Sequence, residues 1–161
     1  MKKILIYFLL ATMIFSLVAC KDNKTSDEKE KVYTFSVGTT KIAISDDAAP
    51  ILAALGEWRD YAESASCAFV GLDKIYVYSG FEIQTYPVEG KDYIYMIILQ
   101  DDTVATEKGI RIGNSESSVI EAYGTPDQKT EGALTYNGKG MYLQFLLRDG
   151  VVTSIQYGYA E

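Results

Sequence analysis

The chain has no histidine among its 161 residues. That removes the commonest general base and the usual nitrogen ligand of transition metals. It also lacks a G-x-S-x-G nucleophile elbow, a phosphate-cradling glycine loop and a calcium loop of the D-x-[DN]-x-[DN]-G kind. Positive charge is scarce: 15 lysines and arginines stand against 22 aspartates and glutamates, a net of −7. An acidic protein is a poor candidate for nucleic acid, and charge does not draw it to anionic lipid. The neighbouring carboxylates Asp46-Asp47 and Asp101-Asp102 read as helix capping and a solvated connector in preference to a metal site. Paired glycosidase acids are invisible to sequence alone, and no residue points to them. No catalytic residue, metal or cofactor is expected.

Cysteine is nearly absent too, with only Cys20 and Cys67. Cys20 closes a distinctive start. A positive "MKK" is followed by an apolar run of about 15 residues, "ILIYFLLATMIFSLV", and then "LVAC". This is the pattern of a secretory signal, and the run falls short of the roughly 20 apolar residues of a spanning helix. "LVAC" resembles the lipobox of bacterial lipoproteins. The resemblance implies cleavage before Cys20, acylation of its sulfur and attachment to the extracytoplasmic face of the cell membrane. By analogy, the envelope is Gram-positive. Residues 1–19 are then the signal peptide, and loss of Lys2 and Lys3 leaves 13 basic against 22 acidic residues. Residues 20–33 form the lipidated cysteine and a tether. Its "KDNKTSDEKEK" offers no core side chain, so burial cannot offset its ordering entropy. Those 11 residues reach at most about 36 Å. With Cys20 acylated, Cys67 has no internal disulfide partner. Beside Ala68, Phe69 and Val70 it reads as a small buried hydrophobe, with a mixed disulfide or metal contact as the other possibility.

Residues 34–161 are expected to form one domain, and its grammar is written twice. "IAISDDAAPILAALG" (Ile42 to Gly56) and "IRIGNSESSVIEAYG" (Ile110 to Gly124) align at an offset of 68. Each has an alternating apolar pair, a cluster of capping residues, an apolar stripe and a glycine. The pattern predicts an extended lead-in, a short capped helix and a glycine stop of positive φ, with Pro50 tolerated in the first turn and Pro126 blocking continuation. Downstream, Glu82-Ile83-Gln84 matches Tyr142-Leu143-Gln144 and Gly90 matches Gly150, at an offset of 60. "VYTFSV" predicts a strand ahead of the first helix. "KIYVYS", "FEIQTY" and "DYIYMIIL" then predict antiparallel strands in the first copy, as do "ALTY", "GMYLQFLL" and "VVTSIQYGY" in the second. Repeat one covers about 34–100 and repeat two about 109–161, with "QDDTVATEKG" as the connector. The expected class is α+β: two tandem units of short helix plus antiparallel strands, the helices packed on one face of the sheet.

At this point "GIRIGNSESSVIEAYGTP", Gly109 to Pro126, resembles the helix-plus-turn signature of small bacterial lipoproteins of the SmpA/OmlA type. The doubled layout also resembles the tandem repeats of the β-lactamase inhibitory protein. The resemblance implies a protein-binding module without catalysis. The first copy departs from the signature, with Ser45 in place of Gly113 and Trp58 in place of Pro126. No binding loop can be carried over, and β-lactamase inhibition is not implied.

Tyrosine is plentiful, at 13 residues. Period-2 reading sets Tyr76 and Tyr78 opposite Ile75 and Val77, and Glu82, Gln84 and Tyr86 opposite Phe81 and Ile83. It sets Tyr142 and Gln144 opposite Met141, Leu143 and Phe145, and Ser154 and Gln156 opposite Val151, Ile155 and Tyr157. The candidate protein-binding face is therefore Tyr76, Tyr78, Glu82, Gln84, Tyr86, Tyr142, Gln144 and Gln156. Strand propensity alone would also give a merely solvated face; tyrosine's enrichment at interfaces favours binding. The expected function is a membrane-anchored scaffold or binding module. Its partners would be the bilayer, through Cys20, and an unidentified envelope or extracellular protein. An envelope hydrolase or small-ligand carrier is the alternative.

Overall fold

The computed structural model describes residues 31–160. The signal segment, Cys20 and most of the tether lie outside them. The elements are a small hairpin of β1 (Phe35–Val37) and β2 (Thr40–Ile42), helix α1 (Ala48–Leu55), and strands β3 (Asp60–Ala65), β4 (Leu72–Val77), β5 (Phe81–Val88) and β6 (Lys91–Leu99). Helix α2 (Glu116–Tyr123), then β7 (Gln128–Lys129), β8 (Ala133–Gly138), β9 (Met141–Arg148) and β10 (Val151–Tyr159) complete it. Among the described residues no helix is long and apolar enough to cross a membrane.

This architecture is mostly β, which corrects the expected α+β class. Each helix has only eight residues, and together they give the core three fully or nearly buried side chains, Ala48, Ile51 and Val119. Two-turn helices are too short to form a layer of their own. The strands do not divide into two helix–sheet units either. They make one antiparallel eight-stranded sheet in the order β3-β4-β5-β6-β10-β9-β8-β7, because β10 hydrogen-bonds directly to β6.

Register explains where the core sits. One row runs Tyr76–Ile83–Ile97–Tyr157–Leu143–Tyr136 across six strands. The next runs Phe81–Leu99–Ile155–Phe145–Leu134. All of these side chains are buried. Burial of an aliphatic or aromatic side chain contributes about 1.5–3 kcal/mol, so these two rows are the main source of stability. Phe35 and Ile42 of the small hairpin join the same core, with the Phe35 ring 5.0 Å from Phe81 and 6.2 Å from Tyr157.

The repeated stretches do produce matching local geometry. Asp47 caps α1 by accepting from Ala49 N at 3.1 Å, and Ser115 caps α2 by accepting from Ser118 N at 3.2 Å. Gly56 and Gly124 end the helices at φ +79° and +82°, donating to the Leu52 and Ile120 carbonyls. Their ψ values of −152° and −161° lie in territory that is essentially glycine's alone. Ahead of each helix stands the same turn. Asp46 Oδ2 accepts from Ala43 N at 2.8 Å, and Asn114 Oδ1 from Arg111 N at 2.9 Å. Ser45 N then donates to Ile94 O at 2.7 Å on β6, and Gly113 N to Val152 O at 2.8 Å on β10. Ser45 and Gly113 both have positive φ, at +71° and +92°. The apolar pairs before these turns behave differently: Ile42 lies in β2, whereas Ile110 and Ile112 lie in no strand.

Three further departures have local causes. β3 was not expected, because "DYAESA" has no buried residue and few strand formers. Val151 is 40 % exposed and Val152 fully buried, the reverse of the simple alternation. A bulge between Val152 and Ser154 leaves Thr153 unpaired and shifts the phase by one. A second bulge falls opposite Gln84–Thr85 and carries Tyr95. At the start of the domain, Lys139 N donates to Lys31 O at 2.9 Å, which fastens the incoming chain to the turn between β8 and β9.

Candidate functional site

The outer side of the sheet, away from the core, carries the complementary rows. They read Ile75–Gln84–Met96–Gly158–Tyr142–Asn137 and Val77–Glu82–Ile98–Gln156–Gln144–Thr135. Six of the eight expected face residues stand here: Glu82, Gln84, Tyr86, Tyr142, Gln144 and Gln156. All six are half-buried. Tyr76 and Tyr78 do not; both project into the core and are nearly inaccessible. Alternation correctly separated them from Ile75 and Val77, but both pairs are apolar enough to be buried, so periodicity could not say which pair faces in. The pairing of Tyr76 with Ile83 decides it. Tyr78 stacks on Phe81 at 5.0 Å and 11°, and its hydroxyl is buried without a partner among the described residues.

Hydrogen bonds fix the polar side chains of the outer face. Tyr95 Oη donates to Gln84 Oε1 at 2.6 Å, Gln84 Nε2 to Glu82 Oε1 at 2.6 Å, and Gln100 Nε2 to Glu82 Oε2 at 2.7 Å. On the other half, Gln144 Nε2 donates to Thr135 Oγ1 at 2.9 Å. Burial, reinforced by the negative charges of Asp73 and Glu82, raises the Tyr95 phenol above its ordinary pKa, so it remains a donor through the neutral range. Tyr86 packs against Tyr93, Tyr95 and Phe69 at ring distances of 5.2–6.2 Å. The Tyr142 ring lies against the Gly158 backbone, where even a Cβ would collide with it. Met96, Ile98 and Leu146 add apolar surface, which sequence reasoning missed because the strands of the two halves had not been placed side by side.

On the core side of the sheet, aromatic rings are exposed at the β3 margin. Trp58 stands 5.1 Å from Tyr76 and 5.9 Å from Tyr61, and Tyr61 lies 5.2 Å from Tyr76. Tyr61 Oη donates to Glu63 Oε2, and that bond raises its phenol to about 12. Neither Trp58 nor Tyr61 was singled out as functional from the sequence. Elsewhere, a cleft of about 290 Å³ is lined by Tyr33, Thr34, Glu107, Lys108, Tyr123 and Tyr157, among others. Its polar groups are largely engaged: Thr34 Oγ1 donates to Glu107, Lys41 pairs with Glu107 at 3.2 Å, and Lys108 Nζ donates to Ala122 O at 2.8 Å. No group of three or more acidic or cysteine side chains able to hold a metal ion occurs among the described residues.

Cys67 is exposed, not a buried hydrophobe. It belongs to the β3–β4 hairpin tip, where Phe69 is 46 % and Val70 102 % exposed. The apolar neighbours that suggested burial form a projecting turn. Cys20, the expected lipidation site, lies outside the described residues.

No protein-family model, curated protein or solved structure matches the chain.

Proposed function

We propose that the protein is an extracytoplasmic binding module, anchored to the membrane through acylated Cys20, that recognises a protein partner on the outer face of its sheet. One observation supports this reading above others. The outer face presents tyrosine, methionine and isoleucine half-exposed, around polar side chains already held by hydrogen bonds to one another. Rigid amphipathic area of this kind binds at low cost in side-chain entropy. The face consists of Glu82, Gln84, Tyr86, Tyr95, Tyr142, Gln144 and Gln156, without Tyr76 and Tyr78. Attachment through Cys20 rests on the "LVAC" motif, and stable anchoring requires more than one acyl chain.

The test combines labelling and capture. A radiolabelled fatty acid should mark the wild-type chain and not Cys20→Ser; equal labelling would remove the anchor from the reading. Photocrosslinking from position 84 in intact cells should trap a discrete partner, which Gln156→Arg should abolish without altering the melting temperature. If Gln156→Arg captures the same species in equal yield, the outer face is not the binding surface.

A further inference from the structure

The two edges of the sheet are unlike. At one side β7 has two residues; at the other β3 has six, all exposed. A free edge offers unpaired N–H and C=O groups, and proteins commonly blunt it with lysine, proline, a bulge or extreme shortness. β3 has none of these. Its register with β4 is unbroken from Asp60↔Val77 to Ala65↔Leu72, and its only charges are the carboxylates of Asp60 and Glu63. Tyr61 and Glu63 pair with Tyr76 and Lys74, so both project to the core side of the sheet. Trp58 stands beside them, 45 % exposed, between open grooves of about 470 and 580 Å³. The groove walls carry three carboxylates, Asp47, Glu57 and Asp92, against one ammonium, Lys91. Lys91 and Lys74 engage Asp47 and Asp92 at 3.3 and 2.7 Å; Glu57 has no partner among the described residues.

We propose that the free edge of β3, with Trp58 and Tyr61 beside it, is the docking site for an extended basic segment of a partner protein, which adds to the sheet as a further strand. Main-chain hydrogen bonds to the edge supply affinity, and alternate side chains supply selectivity. Side chains of the added strand that stand opposite Tyr61 and Glu63 project towards Trp58. A guanidinium or ammonium there meets an indole face, the best aromatic partner for a cation, and a carboxylate across the strands. A second copy of this chain does not fit, because it would bring a net charge of −7 and a second pair of edge carboxylates to the same place. The site is separate from the outer face, and neither reading depends on the other.

The test uses the full chain in non-ionic detergent and a blocked peptide, Arg-Thr-Arg-Thr-Arg. Trp58 is the only tryptophan, so its emission reads the site directly. A saturable change in emission that weakens with added salt is expected. By calorimetry, Trp58→Ala should weaken binding about five- to thirtyfold, and Glu63→Gln about threefold. Methylating every backbone amide nitrogen of the peptide removes the ladder donors in either strand orientation and should weaken binding about tenfold. Should Trp58→Ala lose its cooperative melt, Trp58→Phe, which keeps a ring, carries the comparison and should fall between it and wild type. Equal binding of the N-methylated peptide overturns strand addition. Binding indifferent to the Trp58 and Glu63 variants places the peptide elsewhere on the acidic surface and overturns the site. A glutamate-for-arginine peptide that binds as well overturns the basic selectivity, and no saturable change at millimolar peptide overturns the proposal whole.

Discussion

Exchange of residues between the two equivalent turns tests whether backbone strain distinguishes them. Ser45 holds φ +71° where its counterpart Gly113 holds +92°, and both amides donate to a strand carbonyl. A left-handed conformation costs an L-residue about 1–2 kcal/mol, and Ser45→Gly removes that cost. The glycine also frees the unfolded chain, which takes back about 0.4–1 kcal/mol. Ser45 is exposed and its side chain makes no hydrogen bond among the described residues, so little else is lost. The net expectation is a gain of about 0.5–1 kcal/mol, or about 3 °C in melting temperature. Gly113→Ser should lose a similar amount. A Cβ built at Gly113 meets nothing within 4 Å, so its cost is purely conformational. The assay is urea unfolding of both variants, with unchanged m-values confirming that only stability has moved. If Ser45→Gly is neutral or destabilising while Gly113→Ser is tolerated, strain at this turn is not what separates the two copies.

Three other outcomes follow from the packing and the charges. Phe145→Ala, in the second buried row, should cost about 3–5 kcal/mol in chemical denaturation, while Tyr142→Ala, which uncovers the Gly158 backbone, should cost on the order of 1 kcal/mol. Asp47→Ala should lower the urea midpoint through loss of the α1 cap. The Asp47 carboxyl is held below its ordinary pKa by the Ala49 amide and Lys91, so its contribution is present above the unfolded value of 3.8 and fades as pH falls through the lower folded value; the variant's stability should change less over that acid range. Burial raises the phenols of Tyr76, Tyr78, Tyr123, Tyr136 and Tyr157, with Tyr136 reaching about 12. That contribution is complete below the unfolded value of 10.0 and is lost as pH rises through the higher folded values, so absorbance at the tyrosinate band should show these rings titrating above the ordinary tyrosine range.

Much of the local structure was legible in the residues. Alternation in "FEIQTY" and "GMYLQFLL" identified the buried sides of β5 and β9, and capping chemistry identified both helices and their glycine ends. These signals are carried by neighbours in sequence. What was not legible depends on neighbours in space. The continuous sheet comes from the pairing of Gly158 with Met96 and of Ile155 with Leu99, which no local pattern encodes. The tyrosines of "KIYVYS" turned inward because β5 and the Trp58 ring meet them there. Bulges at Tyr95 and Thr153 reset the alternation without any glycine or proline to announce them. β3 was missed because an edge strand need not bury anything, and for that same reason the aromatic margin beside it escaped notice.

The bond from Lys139 to Lys31 sets a lever arm for the whole domain. It ties the incoming chain to the turn at the end of β8, while β3 closes the sheet six strand positions away. At about 4.8 Å per strand, the two lie roughly 29 Å apart. For a chain held at its N-terminus, the free edge therefore stands a full domain width from the point of attachment, and tension along the tether is borne first by β8 and β9. A partner seated on β3 would be carried at the outboard end, shielded from the pull at the root.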